Sequence, residues 1–146
     1  MAAEANAATA RRILDEAWNA GNIEVLDELC APGCIEHDLS THEEVIGLEA
    51  NKERIRGYRE AMPDVHVTID DLVASGDRVV TRWHAAGTND GELMGNPPTH
   101  RSIEITGMSI DRFDSDGRLA ETWDQWDNLS FMQQLGLAPS MEAQQA

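Results

Sequence analysis

The amino-acid sequence predicts an α+β fold, in which a curved antiparallel β-sheet packs on three N-terminal helices and is followed by a short C-terminal helix. Before Met62, apolar residues recur at spacings of three and four, which is the period of an amphipathic helix. After Val65 they alternate with polar residues, which is the period of a half-buried strand. A sheet that curves strongly over the helices would enclose a cone-shaped interior, so we expect an α+β barrel.

Three helices are predicted in the first part of the chain. Residues 7–20 form the first, because its apolar side chains share one helical face: Ala10, Ile13, Leu14, Ala17 and Trp18. A second short helix follows and ends before Pro32, which cannot continue a helix, and residues 34–39 then form a short strand. After a polar loop, residues 48–62 form the third helix, whose buried side carries Leu48, Ile55, Tyr58 and Met62.

The second part of the chain is predicted to form the sheet. Four strands are expected over residues 65–72, 77–87, 102–113 and 118–126. A loop rich in glycine and proline (residues 87–99) separates the second of these strands from the third, and a tight turn at residues 114–117 joins the last two as a hairpin. Asp127 can cap a closing helix that runs through Leu135.

Length, charge and composition restrict the class of protein. A chain of 146 residues fits one domain, predicted to span residues 1–146 with an ordered core at about 8–139. The formal net charge of −16 argues against nucleic acid or an anionic membrane as a partner, because either would be repelled. No apolar run is long enough to span a membrane, and the N-terminus lacks the features of a secretory signal, so we expect a cytoplasmic protein.

No metal and no cofactor are expected. A metal site needs three or four convergent ligands, and the sequence has neither His-x-His nor His-Glu-x-x-His spacing. The glycine-rich patterns that bind nucleotide phosphates are also missing. Cys30 and Cys34 lack matching zinc ligands, and we expect two reduced thiols rather than a disulfide.

The strongest candidate for chemistry is Asp124, which stands between two tryptophans in the segment Glu-Thr-Trp-Asp-Gln-Trp-Asp of the last predicted strand. Strand alternation puts Asp124 on one face with Thr122 and Trp126. A carboxyl group against aromatic walls suits proton transfer, because burial disfavours its charged form. The alternative is a solvated strand aspartate that pairs with a nearby arginine.

A second ionisable cluster lies on the first predicted strand. Successive strand residues face opposite ways, so either His37 faces the cavity or its neighbours Glu36 and Asp38 do. In the cavity, His37 would polarise a carbonyl group or relay a proton. The alternative is a polar rim beside the loop 39–47.

His84 and Met94 are two further candidates for ligand contacts. Arg82 and His84 share one face of their strand, opposite Trp83, and alternation alone does not decide which face is inside. Met94 can line an adaptable apolar pocket, although core packing is the default role of a methionine.

Several segments, taken together in their order and spacing, resemble the SnoaL-like polyketide cyclases of the nuclear-transport-factor-2-like superfamily. The resemblance extends over about residues 8–139 and is carried by residues 61–66, 75–80, 87–99, 116–127 and 134–136. It implies a cone-like α+β barrel that dimerises through the outer sheet face. It also implies an intramolecular aldol closure that needs no cofactor.

The resemblance assigns roles to individual residues. The family's acid/base aspartate falls on Asp124, and a second family aspartate that caps a helix falls on Asp127. This chain has Ser109 where anthracycline cyclases carry a pocket histidine, Gly107 in place of a glutamine, and approximately Glu36 in place of an asparagine. Ser109 is therefore expected to face the ligand and to hydrogen bond with it.

The sequence thus predicts a cofactor-independent acid/base cyclase or isomerase of the kind used in antibiotic biosynthesis. It would close or rearrange a ring in an apolar, polyketide-like substrate that bears a carbonyl group, with Asp124 as the acid/base. The residues expected to contact the substrate are His37, His84, Ser109, Trp126 and Met94. Two alternatives remain open: an epoxide or lactone hydrolase on the same pocket, and a small-molecule-binding protein without turnover.

Overall fold

Helices occupy the first part of the chain in the computed structural model, which describes residues 1–140. Helix α1 (Ala2–Arg12) continues as a π-helical segment, Ile13–Asn19. A 3₁₀ turn (Ile23–Val25), α2 (Leu26–Leu29) and, further along, α3 (Leu48–Ala61) complete this layer. The first helix therefore begins at Ala2 rather than at residue 7, because the alanine-rich start of the chain, which has high helix propensity, extends it.

Six strands form one curved sheet: β1 (Cys30–Asp38), β2 (Glu43–Ile46), β3 (His66–Ser75), β4 (Arg78–Thr88), β5 (Ser102–Phe113) and β6 (Leu119–Trp126). Their order across the sheet is β2-β1-β6-β5-β4-β3. All neighbours are antiparallel except β1 and β6, which are parallel. The predicted α+β class is confirmed, and the parallel pair and the short strand β2 are additions to it.

A bulge of several residues interrupts the pairing of strand β1 with β6. Cys30 pairs with Leu119, but the next pair joins Ile35 to Glu121, so five residue steps in β1 match two steps in β6. The extra residues leave the ladder around the exposed Pro32, while both flanking cysteines are buried. The predicted break at Pro32 is therefore a bulge inside a strand, where proline is tolerated because the local ladder is interrupted. Both cysteines are free.

The chain closes with helix α4 (Asn128–Gln134). The side chain of Asp127 accepts a hydrogen bond from the backbone N–H of Ser130 at 3.0 Å, which confirms the predicted N-cap. Gly136 follows with φ of 78°, a left-handed conformation that glycine adopts without steric cost. The helix places Phe131 in the core.

The core lies between the helices and the inner face of the sheet, which is the face that packs on them. The buried apolar side chains of the helices include Ile13, Ala17, Leu26, Ile55, Ala61 and Phe131. Those of the sheet include Val67, Val79, Ala85, Ile103 and Phe113. Within residues 1–140, the structure contains no helix that is both long and apolar enough to span a bilayer.

Candidate active site

A cavity of about 170 Å³ opens between the inner face of the sheet and the helices. This volume gives room for on the order of ten water-sized groups. Its apolar walls include Trp18, Ile55, Tyr58, Met62, Ile103 and Ile105. Three carboxyl groups and one guanidinium group also line it, those of Glu36, Asp111, Asp124 and Arg54. An apolar cavity with a few convergent polar groups is the usual form of a small-molecule site.

Asp124 projects from β6 into this cavity and is 9% exposed. It pairs with Ser109 across the β5–β6 ladder, so the two side chains lie side by side on the inner face. The hydroxyl group of Ser109 donates a hydrogen bond to Oδ1 of Asp124. Asp124 thus has the orientation that strand alternation predicts, with the apolar walls in front of it.

A short chain of hydrogen bonds fixes this carboxyl group. Trp83 lines the cavity from β4, and its indole Nε1–H donates to Oγ of Ser109 at 3.0 Å. Because the serine oxygen accepts this bond, its own proton is directed at Asp124. The indole and the hydroxyl together hold Asp124 in one orientation.

Trp126, the other aromatic neighbour of Asp124 on the inner face, is anchored by a different carboxylate. Its Nε1–H donates to Asp38, at 3.0 Å to Oδ1 and 3.1 Å to Oδ2. Asp38 also accepts backbone hydrogen bonds from Ser40 and Thr41, at 3.0 and 3.1 Å. Asp38 is therefore a structural carboxylate that holds the Trp126 ring against the cavity.

One guanidinium group lies among three carboxyl groups. Nη2 of Arg54, from α3, is 3.5 Å from Oε1 of Glu36, 3.8 Å from Oδ2 of Asp124 and 3.9 Å from Oδ2 of Asp38. One positive charge cannot neutralise three negative charges in an apolar surrounding, so at least one carboxyl group is expected to keep its proton.

Two of the cavity carboxyl groups have strongly raised pKa values. Burial raises the pKa of Glu36 to about 10, and the neighbouring Asp124 adds to this shift while Arg54 opposes it. Burial also raises the pKa of Asp111 to about 7, and the negative charge of Asp124 contributes, whereas a hydrogen bond from Thr122 acts in the opposite direction. The site therefore combines neutral and charged carboxyl groups near neutral pH.

The two histidines expected in the cavity lie on the outer face of the sheet instead. Nε2 of His37 is 2.6 Å from Oε2 of Glu121, and Nδ1 of His84 is 2.8 Å from Oδ2 of Asp70. Neither histidine lines the cavity. Strand alternation explains both corrections, since Glu36 and Asp38 take the inward positions of β1 and Trp83 takes that of β4.

Met94 does not line the cavity either. Its side chain is exposed, and its backbone has φ of 48°, within a tight turn closed by a bridge between Leu93 and Asn96. The expected contact of Met94 with a ligand is therefore corrected, because the turn holds Leu93 inward and Met94 outward. Of the predicted contact residues, Ser109 and Trp126 are brought together with Asp124.

The sequence reasoning missed Arg54, although a signal was present. Arg54 precedes Tyr58 by four residues, so it belongs to the helical face that was expected to be buried. Its guanidinium carbon lies 5.8 Å from the ring centroids of both Trp18 and Tyr58, which is within the range of cation–π attraction. In the described part of the chain, no three His, Cys, Asp or Glu side chains are arranged to hold a metal ion.

Comparison with family models and with solved structures gives matches over most of the chain. The family model described as SnoaL-like polyketide cyclase matches residues 8–135. A search of curated proteins finds no match.

Solved structures of similar fold include three described as candidate polyketide cyclases. IdmH from Streptomyces antibioticus is 34% identical with a TM-score of 0.77, and the match covers 90% of this chain and 98% of IdmH. A protein from Acidithiobacillus ferrooxidans is 30% identical with a TM-score of 0.78, over 92% and 96% of the two chains. A SnoaL-like protein from Jannaschia sp. CCS1 is 25% identical with a TM-score of 0.84, over 93% and 94%.

Proposed function

The chain belongs to the SnoaL-like polyketide cyclase family, and we propose that it is a cofactor-independent cyclase or isomerase that uses Asp124 as its acid/base. The substrate would be a polyketide-like small molecule with a carbonyl group, bound in the apolar cavity. One observation carries the proposal: a buried carboxyl group, oriented by Ser109, faces apolar walls beside a guanidinium group.

The reaction begins with proton transfer from carbon. Asp124 removes a proton from the carbon atom next to a carbonyl group, and the electron pair of the C–H bond forms an enolate. In a ring closure, the enolate carbon attacks a second carbonyl carbon of the same molecule, and the new alkoxide takes the proton back from Asp124. A positioned acid/base of this kind contributes on the order of 10²–10⁴-fold to the rate.

The surrounding residues position the reacting groups. The hydrogen bonds from Trp83 to Ser109 and from Ser109 to Asp124 keep the carboxyl group in one rotamer. Trp126, held by Asp38, offers a flat apolar surface on which a planar substrate can stack. The apolar walls exclude water and hold the chain in a reactive conformation, which lowers the entropic part of the barrier.

A direct test incubates the protein with a set of linear aryl-terminated β-triketones and follows cyclised products by liquid chromatography and mass spectrometry. The proposal predicts protein-dependent ring closure that is lost in Asp124→Asn and retained in Glu121→Gln, a matched carboxylate-to-amide change on the outer face of the same strand. Binding of these compounds without any product would favour a small-molecule-binding protein.

A second candidate function is hydrolysis of an epoxide or a lactone. It requires a carboxylate or an arginine that converges with Asp124 on one water molecule. Glu36 and Arg54 are close to Asp124, whereas Arg82 is half-exposed and lies near Asp70. Reaction in ¹⁸O-labelled water separates the two functions, because hydrolysis leaves a labelled oxygen in a hydroxyl or carboxyl group of the product, where it does not exchange with water.

We further propose that the protein is a homodimer joined through an outer-face patch formed by Val80, Met108, Ile110 and Trp123. Val80 pairs with Ile110, and Ile110 with Trp123, so these side chains adjoin across three strands. Val80, Met108 and Ile110 are 37%, 55% and 41% exposed in the single chain. An apolar patch of this kind marks an interaction surface.

Light scattering tests the dimer. A homodimer is expected for the unaltered protein and a monomer for Ile110→Asp. Leu129→Asp, which places the same charge at an exposed site on α4, is the control and should remain dimeric. A monomeric unaltered protein would refute this part of the proposal alone. The net charge of −16 makes nucleic acid and anionic membranes poor partners for the same molecule.

A further inference from the structure

Glu36 is a buried acid that has no role in the proton transfer proposed for Asp124. It is 5% exposed, lines the cavity from β1 and lies within hydrogen-bonding reach of Asp124. Its Oε1 atom is fully buried and has no hydrogen-bond partner among the described residues. The guanidinium Nη2 of Arg54 is 3.5 Å away, which is a weak contact. An unsatisfied buried oxygen lowers the stability of a fold, so its retention at a cavity wall points to a role in ligand binding.

The charges around Glu36 favour its neutral form. Burial raises its pKa, Asp124 from β6 and Asp111 from β5 raise it further, and Arg54 from α3 is the cation that opposes this shift. That cation is shared with Asp124 and Asp38.

Among these carboxyl groups, Asp38 has the most hydrogen-bond donors around it. It accepts hydrogen bonds from the indole of Trp126 and from the backbone N–H groups of Ser40 and Thr41. Hydrogen bonds to the charged form of a carboxyl group stabilise that form. Glu36 has no such donors, so it is the member of the cluster that keeps a proton.

We propose that Glu36 is a second catalytic residue: a neutral carboxylic acid that donates a hydrogen bond to the substrate oxygen on which negative charge develops while Asp124 removes the carbon-bound proton. This inference rests on the proposed function of the same site. The proton of Glu36 stays on Glu36, so Asp124 alone both takes and returns the transferred proton. A donor in an apolar cavity stabilises an oxyanion more than water does, because the donor is already oriented.

The geometry allows this division of roles. Glu36 and Asp124 belong to paired neighbouring strands, and both side chains are on the inner face, where Glu36 pairs with Thr122 and Asp124 with Asp38. A carbonyl oxygen near Glu36 therefore places the adjacent carbon near Asp124. Oε1 accepts no hydrogen bond from the described residues, so a substrate oxygen that takes the hydrogen bond of Glu36 replaces only Asp124 as its acceptor.

The first measurement tests the protonation of Glu36 without any substrate. Protein labelled with ¹³C-glutamate is titrated by carbon NMR, and the proposal predicts one carboxyl carbon that keeps the chemical shift of a protonated acid at pH 8. This signal should be missing in Glu36→Gln and present in Glu121→Gln. If every glutamate signal is that of a carboxylate at pH 8, the proposal is overturned.

The second measurement tests the role in catalysis, with deuterium exchange at the methyl group of 2-acetonaphthone as the activity. Glu36→Gln keeps an N–H donor, so we expect its rate within about tenfold of the unaltered protein, whereas Glu36→Leu, which lacks a donor, should lose about 10²-fold or more. Equal losses in both variants would show that a charged or proton-transferring carboxyl group is needed and would refute the proposal. Thermal unfolding checks that both variants are folded.

The two measurements separate failure of this inference from failure of the proposed function. If the unaltered protein catalyses no exchange and no cyclisation, the proposed function fails and the catalytic role of Glu36 fails with it, even if the NMR signal is present. If exchange occurs but the NMR signal is missing, the role of Asp124 stands and only the inference about Glu36 is refuted.

Discussion

The indole ring of Trp83 lies directly against Gly107, its cross-strand neighbour on β5. A Cβ atom added to Gly107 would come within 2.7 Å of Cε2 of Trp83, closer than two carbon atoms can pack. Glycine at this position therefore makes room for the ring. The same ring donates the hydrogen bond to Ser109, so the absence of a side chain at residue 107 helps to orient Asp124.

Gly107→Ala should destabilise the protein and disturb the site. The added methyl group forces the Trp83 ring away from Ser109, and overpacking of this kind costs typically about 1–3 kcal/mol. Chemical denaturation measures this loss. Gly33→Ala, in the exposed bulge with no atom within 4 Å of the added Cβ, is the matched control and should stay within about 0.5 kcal/mol. Equal stability of the two variants would contradict the packing argument.

Removal of the guanidinium group of Arg54 should lower the free energy of unfolding. Arg54→Leu leaves three nearby carboxyl groups without a positive charge, and loss of one partner of a buried ion pair costs about 3–5 kcal/mol. The loss should be larger at pH 8 than at pH 5, because the carboxyl groups can take up protons at low pH. Arg54→Lys keeps the charge and should lose less. An Arg54→Leu protein as stable as the unaltered one in urea at pH 8 would contradict this account.

The stability of the protein should depend on pH through Asp111. The pKa of this carboxyl group is about 7 in the folded state, whereas an aspartate without interactions, as in the unfolded chain, has a pKa of 3.8. Between these two pH values the folded protein therefore binds more protons than the unfolded chain. Stability from this group is therefore full below about pH 4 and falls as pH rises towards 7.

Asp111→Asn removes this dependence. Relative to the unaltered protein, the variant should gain on the order of 2–4 kcal/mol between pH 4 and pH 8, since one pKa unit corresponds to about 1.36 kcal/mol. Urea unfolding at a series of pH values measures the difference. Parallel stability curves for the two proteins would show that Asp111 has no raised pKa.

Asp127 should contribute to stability without contributing to chemistry. Its side chain caps α4, and an N-cap aspartate replaced by alanine typically costs about 0.5–2 kcal/mol. Asp127→Ala should therefore unfold at a lower urea concentration while its rate in the folded state is retained. A large loss of rate in a folded Asp127→Ala protein would instead place this residue in the catalytic site.

Most of the elements of the fold could be predicted from the sequence. Strands β3 to β6 and helix α3 were predicted within a few residues, because long segments have a clear hydrophobic period and end at turn residues. Strand β2 was missed because its four residues lie in a polar loop and are mostly exposed. The bulge in β1 was missed because Pro32 indicates a chain break locally, whereas pairing with β6 is a long-range effect.

The candidate site was predicted less completely. Alternation along β6 was enough to put Asp124 and Trp126 on one face, but it could not tell which of two faces is inside on β1 and β4. The inner face is decided by how the whole sheet packs on the helices. In the structure, Trp83 lines the cavity, whereas His37 and His84 lie on the outer face. The raised pKa of Glu36 arises from burial next to other carboxyl groups, which only the assembled cavity reveals.

The most direct test of the proposed role of Asp124 is the rate of deuterium incorporation into 2-acetonaphthone in D₂O, measured by NMR for the unaltered protein and for Asp124→Asn. Asparagine has almost the same shape but cannot accept the proton, so the account predicts a rate lower by about 10²–10⁴-fold at an unchanged dissociation constant for the ketone. An Asp124→Asn protein that exchanges the methyl protons as fast as the unaltered protein would contradict the account.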